Sequence, residues 1–152
     1  MNGDGVRDLI VGHPYTGAEA LQYHGGVSVY LGEVGGDFSQ SPWLTVECSD
    51  HPCGLGATMA QSGQEVIVGA TTAAAGGRQR GAVLALSPAT VGNLSVPGDL
   101  QWLATGSQDF QQFGSSISLH QDLMAVGSPY YRIPANGEPV TCRYIPSLFL
   151  PP

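Results

Sequence analysis

Asp8-Leu-Ile-Val-Gly-His-Pro14 recurs as Glu65-Val-Ile-Val-Gly-Ala-Thr71, and again as Asp122-Leu-Met-Ala-Val-Gly-Ser-Pro129. The central glycines Gly12, Gly69 and Gly127 lie 57 and 58 residues apart. Gly26-Val-Ser-Val-Tyr-Leu31 matches Gly81-Ala-Val-Leu-Ala-Leu86 at an offset of 55, and Trp43-Leu-Thr-Val46 matches Trp102-Leu-Ala-Thr105 at 59. Gly54-Leu-Gly-Ala-Thr58 pairs with Phe113-Gly-Ser-Ser-Ile117, whose glycines Gly56 and Gly114 differ by 58. Four landmarks share one period, so the chain is a repeat, and the repeat decides the architecture before any single segment does.

Within each unit the segments are short, rich in Val, Ile, Leu and Tyr, and bounded by Gly, Pro, Ser or Asp, which predicts strands. Val27, Val29 and Leu31 alternate with Ser28 and Tyr30, as in a strand with two unlike faces. Leu9-Ile-Val11 and Val66-Ile-Val68 are continuous apolar runs, which predicts strands covered on both sides. Ala70 to Gly77 is alanine-rich, yet its place between two strands and its closing Gly76-Gly77 predict an extended loop. Four strands per unit at a period in the fifties predict an all-β fold. That fold is a partial β-propeller of about two and a half to three four-stranded blades. Residues 1–46 form a blade without its first strand, and residues 47–106 a blade carrying the Cys48/Cys53 loop. Residues 107–132 form a partial blade, and residues 133–152 a divergent proline-rich tail. Trp43 and Trp102 repeat at blade spacing, which points to core packing. Propellers close with at least four blades, so this segment is expected to leave open strand edges.

Composition narrows the function. Twelve acidic and five basic residues give a net charge of −7, so the basic footprint of a nucleic-acid-binding protein is absent. Only 11% of residues are charged and 42% are hydrophobic, which excludes the composition of a disordered chain. No apolar run reaches the ~18 residues of a membrane helix. The opening Met1-Asn-Gly-Asp-Gly-Val-Arg-Asp8 has neither a basic n-region nor an apolar h-region, so no secretory signal is expected here. It reads as the inside of a loop, which suggests a fragment.

Three cysteines leave at least one unpaired within the chain. Cys48 and Cys53 flank a run of turn formers, so a small loop disulfide is one reading. A metal set of Cys48, His51 and Cys53 is the other, disfavoured because structural zinc sites need a second ligand pair. Cys142 is the expected free thiol. His13, His24, His51 and His120 are scattered and give no two-ligand helix face, so they read as loop or surface histidines. Arg78 and Arg80 form a small basic cluster in an acidic chain. A solvated loop is favoured there over a contact with lipid phosphate. Asn93-Leu-Ser95 is an N-glycosylation sequon.

Phe113-Gly-Ser-Ser116 with Leu123-Met-Ala-Val-Gly-Ser-Pro129, and Asn2-Gly-Asp-Gly-Val-Arg-Asp-Leu-Ile-Val-Gly12, resemble FG-GAP repeats. Such repeats build the propellers of integrin α chains and of glycosylphosphatidylinositol-specific phospholipases D. The phospholipase family is the nearer likeness. It rests on Leu21-Gln-Tyr-His-Gly-Gly-Val-Ser-Val-Tyr-Leu31, the Cys48/Cys53 loop before Gly54-Leu-Gly56, Gly76-Gly-Arg-Gln-Arg-Gly81 and Gln108-Asp-Phe-Gln-Gln-Phe-Gly114. The resemblance covers about residues 1–132.

It implies a non-catalytic propeller fragment of a secreted protein, whose full-length form hydrolyses the inositol phosphodiester of GPI anchors. The partners implied are a separate N-terminal zinc-dependent domain that carries the chemistry, the remaining blades, and GPI-anchored proteins as substrate. Zinc belongs to that other domain, and no catalytic residue is carried over to this chain. The alternatives are an integrin α-like adhesion propeller without enzyme activity, or a non-functional truncated product.

The resemblance also implies a calcium loop, with Asn2, Asp4 and Asp8 giving side-chain oxygens and Val6 its carbonyl. Hard oxygen donors at alternate positions with glycine at the turn suit Ca²⁺. The leading aspartate of the family pattern falls before Met1, so the loop is incomplete and weak binding is expected. An Asn-Gly/Asp-Gly turn without metal is the competing reading. Gln61-Ser-Gly-Gln-Glu65 and Ser118-Leu-His-Gln-Asp122 lack the alternating carboxylates. After Tyr131 the family pattern is lost, and Glu138-Pro-Val-Thr-Cys142 leads into Ile145-Pro-Ser-Leu-Phe-Leu-Pro-Pro152.

Overall fold

A computed structural model describes residues 2–15, 24–48, 52–87, 102–120 and 123–132. Nine strands and no helix occur among them. The first sheet contains β1 (Leu9–Gly12), β2 (Gly26–Tyr30) and β3 (Leu44–Glu47). The second contains β4 (Leu55–Ser62), β5 (Glu65–Ala70), β6 (Ala82–Leu86) and β7 (Ala104–Thr105). The third pairs β8 (Ser116–His120) with β9 (Leu123–Gly127). Every sheet is an antiparallel meander with its strands in chain order, and none closes into a barrel. The architecture is all-β and that of a partial propeller.

Adjacent sheets meet backbone to backbone. β4 carries an irregularity between Leu55 and Thr58 that leaves Gly56 and Ala57 out of the ladder with β5. A bulge bends its strand and re-aims the local backbone. Here it drives the Gly56 carbonyl against Gly12 of the first sheet, where a Cβ on Gly12 would collide with the Gly56 main chain. One repeat later Gly69 meets the Gly114 carbonyl in the same way. Gly56 and Gly114 have φ of +90° and +94°, a region open to glycine and strained for other residues. Parallel bridges Gly25–Leu55 and Gly81–Phe113 reinforce the two junctions, and Thr58 Oγ1 donates to the Gly114 carbonyl at 2.6 Å.

These contacts correct the sequence match by one residue at the second strand. Gly25 and Gly81 hold equivalent bridges, and Val27 and Val83 lie opposite Gly12 and Gly69, so the true offset there is 56. A slip of one residue exchanges the two faces of a strand, so the distinction matters. Val27 and Val83 are both fully buried. The tryptophans are not equivalent either. Val46 faces Val27 and Ala104 faces Val83, an offset of 58 where equating Trp43 with Trp102 needs 59. Trp102 packs against the core, whereas Trp43 is 44% exposed.

The core lies between the first two sheets, from Val27, Val46, Leu55, Val66, Val68, Leu84 and Leu86. Val66-Ile-Val68 is buried throughout, as a strand with a neighbour on each side must be. Leu9 and Val11 are 40% and 38% exposed, against the reading of their run as covered on both faces. The first sheet has a packed neighbour on one side only among the described residues, so apolar composition outran the available cover. Residues 71–79 form turns and loop, with Ala73 buried beneath them.

The junction predicts a graded response to added methyl groups. Gly12→Ala and Gly69→Ala place Cβ against a neighbouring main chain that cannot rotate away, and each should cost at least about 1–3 kcal/mol. Gly127→Ala meets only the Ser116 side chain and should cost clearly less. Urea denaturation midpoints measure the order, and equal losses at all three positions would contradict it.

Candidate functional site

The Asn2–Asp8 loop turns on Gly3 and Gly5, with φ of +81° and +82°. Its side chains bind one another. Asn2 Nδ2 donates to Asp4 Oδ2 at 2.7 Å, and Asn2 Oδ1 accepts the Asp4 N–H at 3.2 Å. Asp4 Oδ1 accepts the Val6 N–H at 2.7 Å. Asp8 accepts the Gly32 N–H, just beyond the second strand, at 3.0 Å through Oδ1, and the Asn2 main chain is a further partner. Burial works to raise the Asp8 pKa, but hydrogen bonding to the charged form, Gly32 included, outweighs it and lowers the value. No group of three or more His, Cys, Asp or Glu among the described residues is placed to hold a metal ion. Two carboxylates, an amide oxygen and one carbonyl are four donor groups, which reach the lower end of the 6–8 oxygens of Ca²⁺ only if both carboxylates bind through both oxygens, and both Asp4 oxygens already accept hydrogen bonds within the loop. The donor set therefore fits calcium only in part.

Cys48 and Cys53 are joined by a disulfide with Cα atoms 6.3 Å apart. The bond occupies both sulfurs, so neither is a thiolate donor for zinc. His24 Nδ1 lies 2.8 Å from the Cys48 carbonyl, and the Cys53 carbonyl accepts the Thr72 N–H at 2.9 Å. His13 Nε2 lies 3.0 Å from Ser28 Oγ, which in turn is 3.2 Å from Thr45 Oγ1. These two histidines brace strands. His51, the Asn93 sequon, Cys142 and the tail after Arg132 lie outside the described residues.

The most elaborated surface is built from segments that the sequence marked only as a basic pair, Arg78 and Arg80, and as points of family likeness, Gly76–Gly81 and Gln108–Gly114. Residues 106–112 lie between the loop after β5 and the loop after β9, hydrogen-bonded to both. On one side the Phe110, Gln112 and Phe113 N–H groups donate to the Arg78, Gln79 and Arg80 carbonyls at 2.6, 3.3 and 2.9 Å. Asp109 Oδ1 accepts from Arg80 Nε at 2.9 Å and from the Arg78 N–H at 3.2 Å. On the other side the Gln108 amide makes a reciprocal pair with the Arg132 main chain, both bonds 2.9 Å. Gln111 is buried, and its Oε1 accepts the Ser107 and Gln108 N–H groups at 2.9 Å each, which closes the turn from within.

The Arg80 guanidinium first, and then the Arg78 N–H, hold the Asp109 pKa below the ordinary aspartate value. A carboxyl depressed in the fold stabilises above its unfolded pKa of about 3.9. That contribution is lost as pH falls through the lowered value. At neutral pH the tie is intact.

Two clefts flank this loop. One, of about 630 Å³, runs past Tyr15, Thr72 and Arg78, and the other, of about 470 Å³, past Asp109, Tyr130, Tyr131 and Arg132. Gln79, Phe110 and Gln112 belong to both walls. These three have φ of +47°, +61° and +54°. For a non-glycine residue, and above all a bulky aromatic, that conformation is uncommon and costs of order 1–3 kcal/mol. The run of amides and aromatics in Gln108-Asp-Phe-Gln-Gln-Phe113 was the available sequence signal. The conformations that make it a site are set by tertiary hydrogen bonds and have no sequence motif.

No protein-family model matches the chain. The chain is similar to phosphatidylinositol-glycan-specific phospholipase D of Homo sapiens, at 37% identity over 148 residues. That match covers 87% of this chain and 17% of the relative. The Bos taurus protein of the same name is 35% identical over 146 residues, and the Dictyostelium discoideum one 29% over 150, covering 87% and 86% of this chain. The chain thus spans about 17% of the length of the relatives it matches, and is similar to one segment of them.

Proposed function

We propose that this chain is a non-catalytic FG-GAP propeller segment of a secreted glycosylphosphatidylinositol-specific phospholipase D-like protein. The full-length form would hydrolyse the inositol phosphodiester of GPI anchors. What carries the reading is the coincidence of two repeats. The sequence period near 57 is also the period of the glycine junction, Gly12 on Gly56 and Gly69 on Gly114, in a chain whose relatives are named as phospholipases of this specificity. Residues 1–46, 47–106 and 107–132 are then successive blades, and residues 133–152 a departure from the pattern.

The chemistry is assigned to a zinc-dependent domain outside this segment, in keeping with the structural work done here by Asp4 in a turn, His13 and His24 between strands and Cys48 and Cys53 in a disulfide. The Cys48–Cys53 bond agrees with an oxidising compartment, where Asn93 would carry a glycan. The blades would then support or position the catalytic domain.

The 152-residue chain, incubated with cells bearing a GPI-anchored reporter, should release none of it. Release above the buffer control would overturn the assignment of the chemistry to another domain. We also propose Asn2, Asp4, Val6 and Asp8 as an incomplete calcium loop. Calorimetric titration should give binding in the millimolar range or weaker, below the ~10⁻⁷–10⁻⁵ M of complete sensor loops, and Asp4→Ala should abolish it. Heat unchanged by that substitution would remove the site.

A further inference from the structure

We propose that the two clefts sharing Phe110 form a binding site for an anionic sugar, a polyhydroxylated ring bearing a phosphate. The proposal stands on the chemistry of the clefts and does not require the phospholipase reading. Of the chain's five basic residues, all arginines, four are described: Arg7, Arg78, Arg80 and Arg132. Three of these gather on the Phe110 loop and its flanks, on a chain of net charge −7. Arg80 is tied to Asp109, while Arg78 lines one cleft and Arg132 the other. A planar guanidinium matches phosphate oxygens two at a time.

Beside the arginines stand aromatic side chains that burial does not explain. Phe110 is 50% exposed and Tyr130 61%. The negative face of such a ring receives the C–H edge of a sugar. Gln79 and Gln112 each present a donor and an acceptor, the pair that adjacent hydroxyls require. The volumes fall within the ~300–1,000 Å³ of small-molecule sites.

Preorganisation supports the same reading. Gln79, Phe110 and Gln112 hold left-handed conformations where two loops pair through the main chain, the Phe110 N–H on the Arg78 carbonyl and the Gln112 N–H on the Gln79 carbonyl. Strain of this kind gathers at ligand clamps, and a wall ordered before binding loses less freedom on contact. A plain apolar ligand would strand the arginines and amides. Bare phosphate would leave the aromatic faces unused.

Titration of the 152-residue chain, followed by NMR shifts of the Tyr and Phe rings, tests the proposal with mannose 6-phosphate as probe. Mannose, inorganic phosphate and vesicles of phosphatidylserine in phosphatidylcholine serve as separate arms. Mannose 6-phosphate should saturate with a dissociation constant of about 1 mM or below, by the efficiency of small ligands. Mannose and phosphate alone should each bind at least tenfold more weakly. Arg132→Gln and Tyr130→Ala alter exposed side chains, and each should weaken binding about tenfold, while Arg7→Gln leaves it unchanged. Equal affinity for inorganic phosphate, binding to vesicles alone, no saturation by about 20 mM, or indifference to both cleft variants would overturn it.

Discussion

The closeness with which one sheet's main chain meets the next governs the rest of this structure. Sheets stacked face to face ordinarily stand about 10 Å apart, separated by interdigitating side chains. At Gly12–Gly56 and Gly69–Gly114 the side chains are gone and the polypeptides touch. Away from those points the separation reopens enough for Val27, Leu55, Val68 and Leu84 to fill it. Such a wedge, narrow at one end and wide at the other, is what a radial array of sheets needs. Gly127 stands at the matching place on the third sheet, where its Cβ direction meets only Ser116 of its own sheet.

Close approach also shapes the loops beside it. Residues 106–112 lead straight into Phe113 and Gly114 at the second junction, and they bond to the second sheet's loop through the main chain and to the third's through the Gln108 side chain. The buried Gln111 shows how a polar side chain belongs in an interior. Its carbonyl oxygen takes two N–H groups that the turn leaves without partners in a ladder. Next to it Phe110, whose N–H donates to the Arg78 carbonyl, is half exposed and lines both clefts. Architecture and surface chemistry therefore have one origin, the spacing of the sheets.

Much of the fold was legible in the residues. Gly12, Gly69 and Gly127 announced the period, and Gly56 and Gly114, which recur at the same spacing, are the glycines they meet. Composition gave less where cover from a neighbour decided the outcome. Leu9 and Val11 look like interior residues, yet burial depends on a second sheet that sequence does not place. Register was the weakest link, because similarity between Gly26 and Gly81 is blind to the one-residue slip that sheet pairing resolves. The calcium motif was visible by letter, while hydrogen bonds decided where its side chains went. Asp8 accepts N–H groups from Gly32, just past β2, and from Asn2 within the loop. The clefts could not be read at all, since positive φ at Gln79, Phe110 and Gln112 comes from tertiary bonds.

The central claim is that successive sheets touch through paired glycines one repeat apart. NMR of the chain labelled at glycine measures it most directly. Strong nuclear Overhauser effects between the Hα protons of Gly12 and Gly56, and of Gly69 and Gly114, are the result this account predicts. Absence of both, with the Hα protons of Gly12 and Gly69 instead facing bulky side chains, would contradict it.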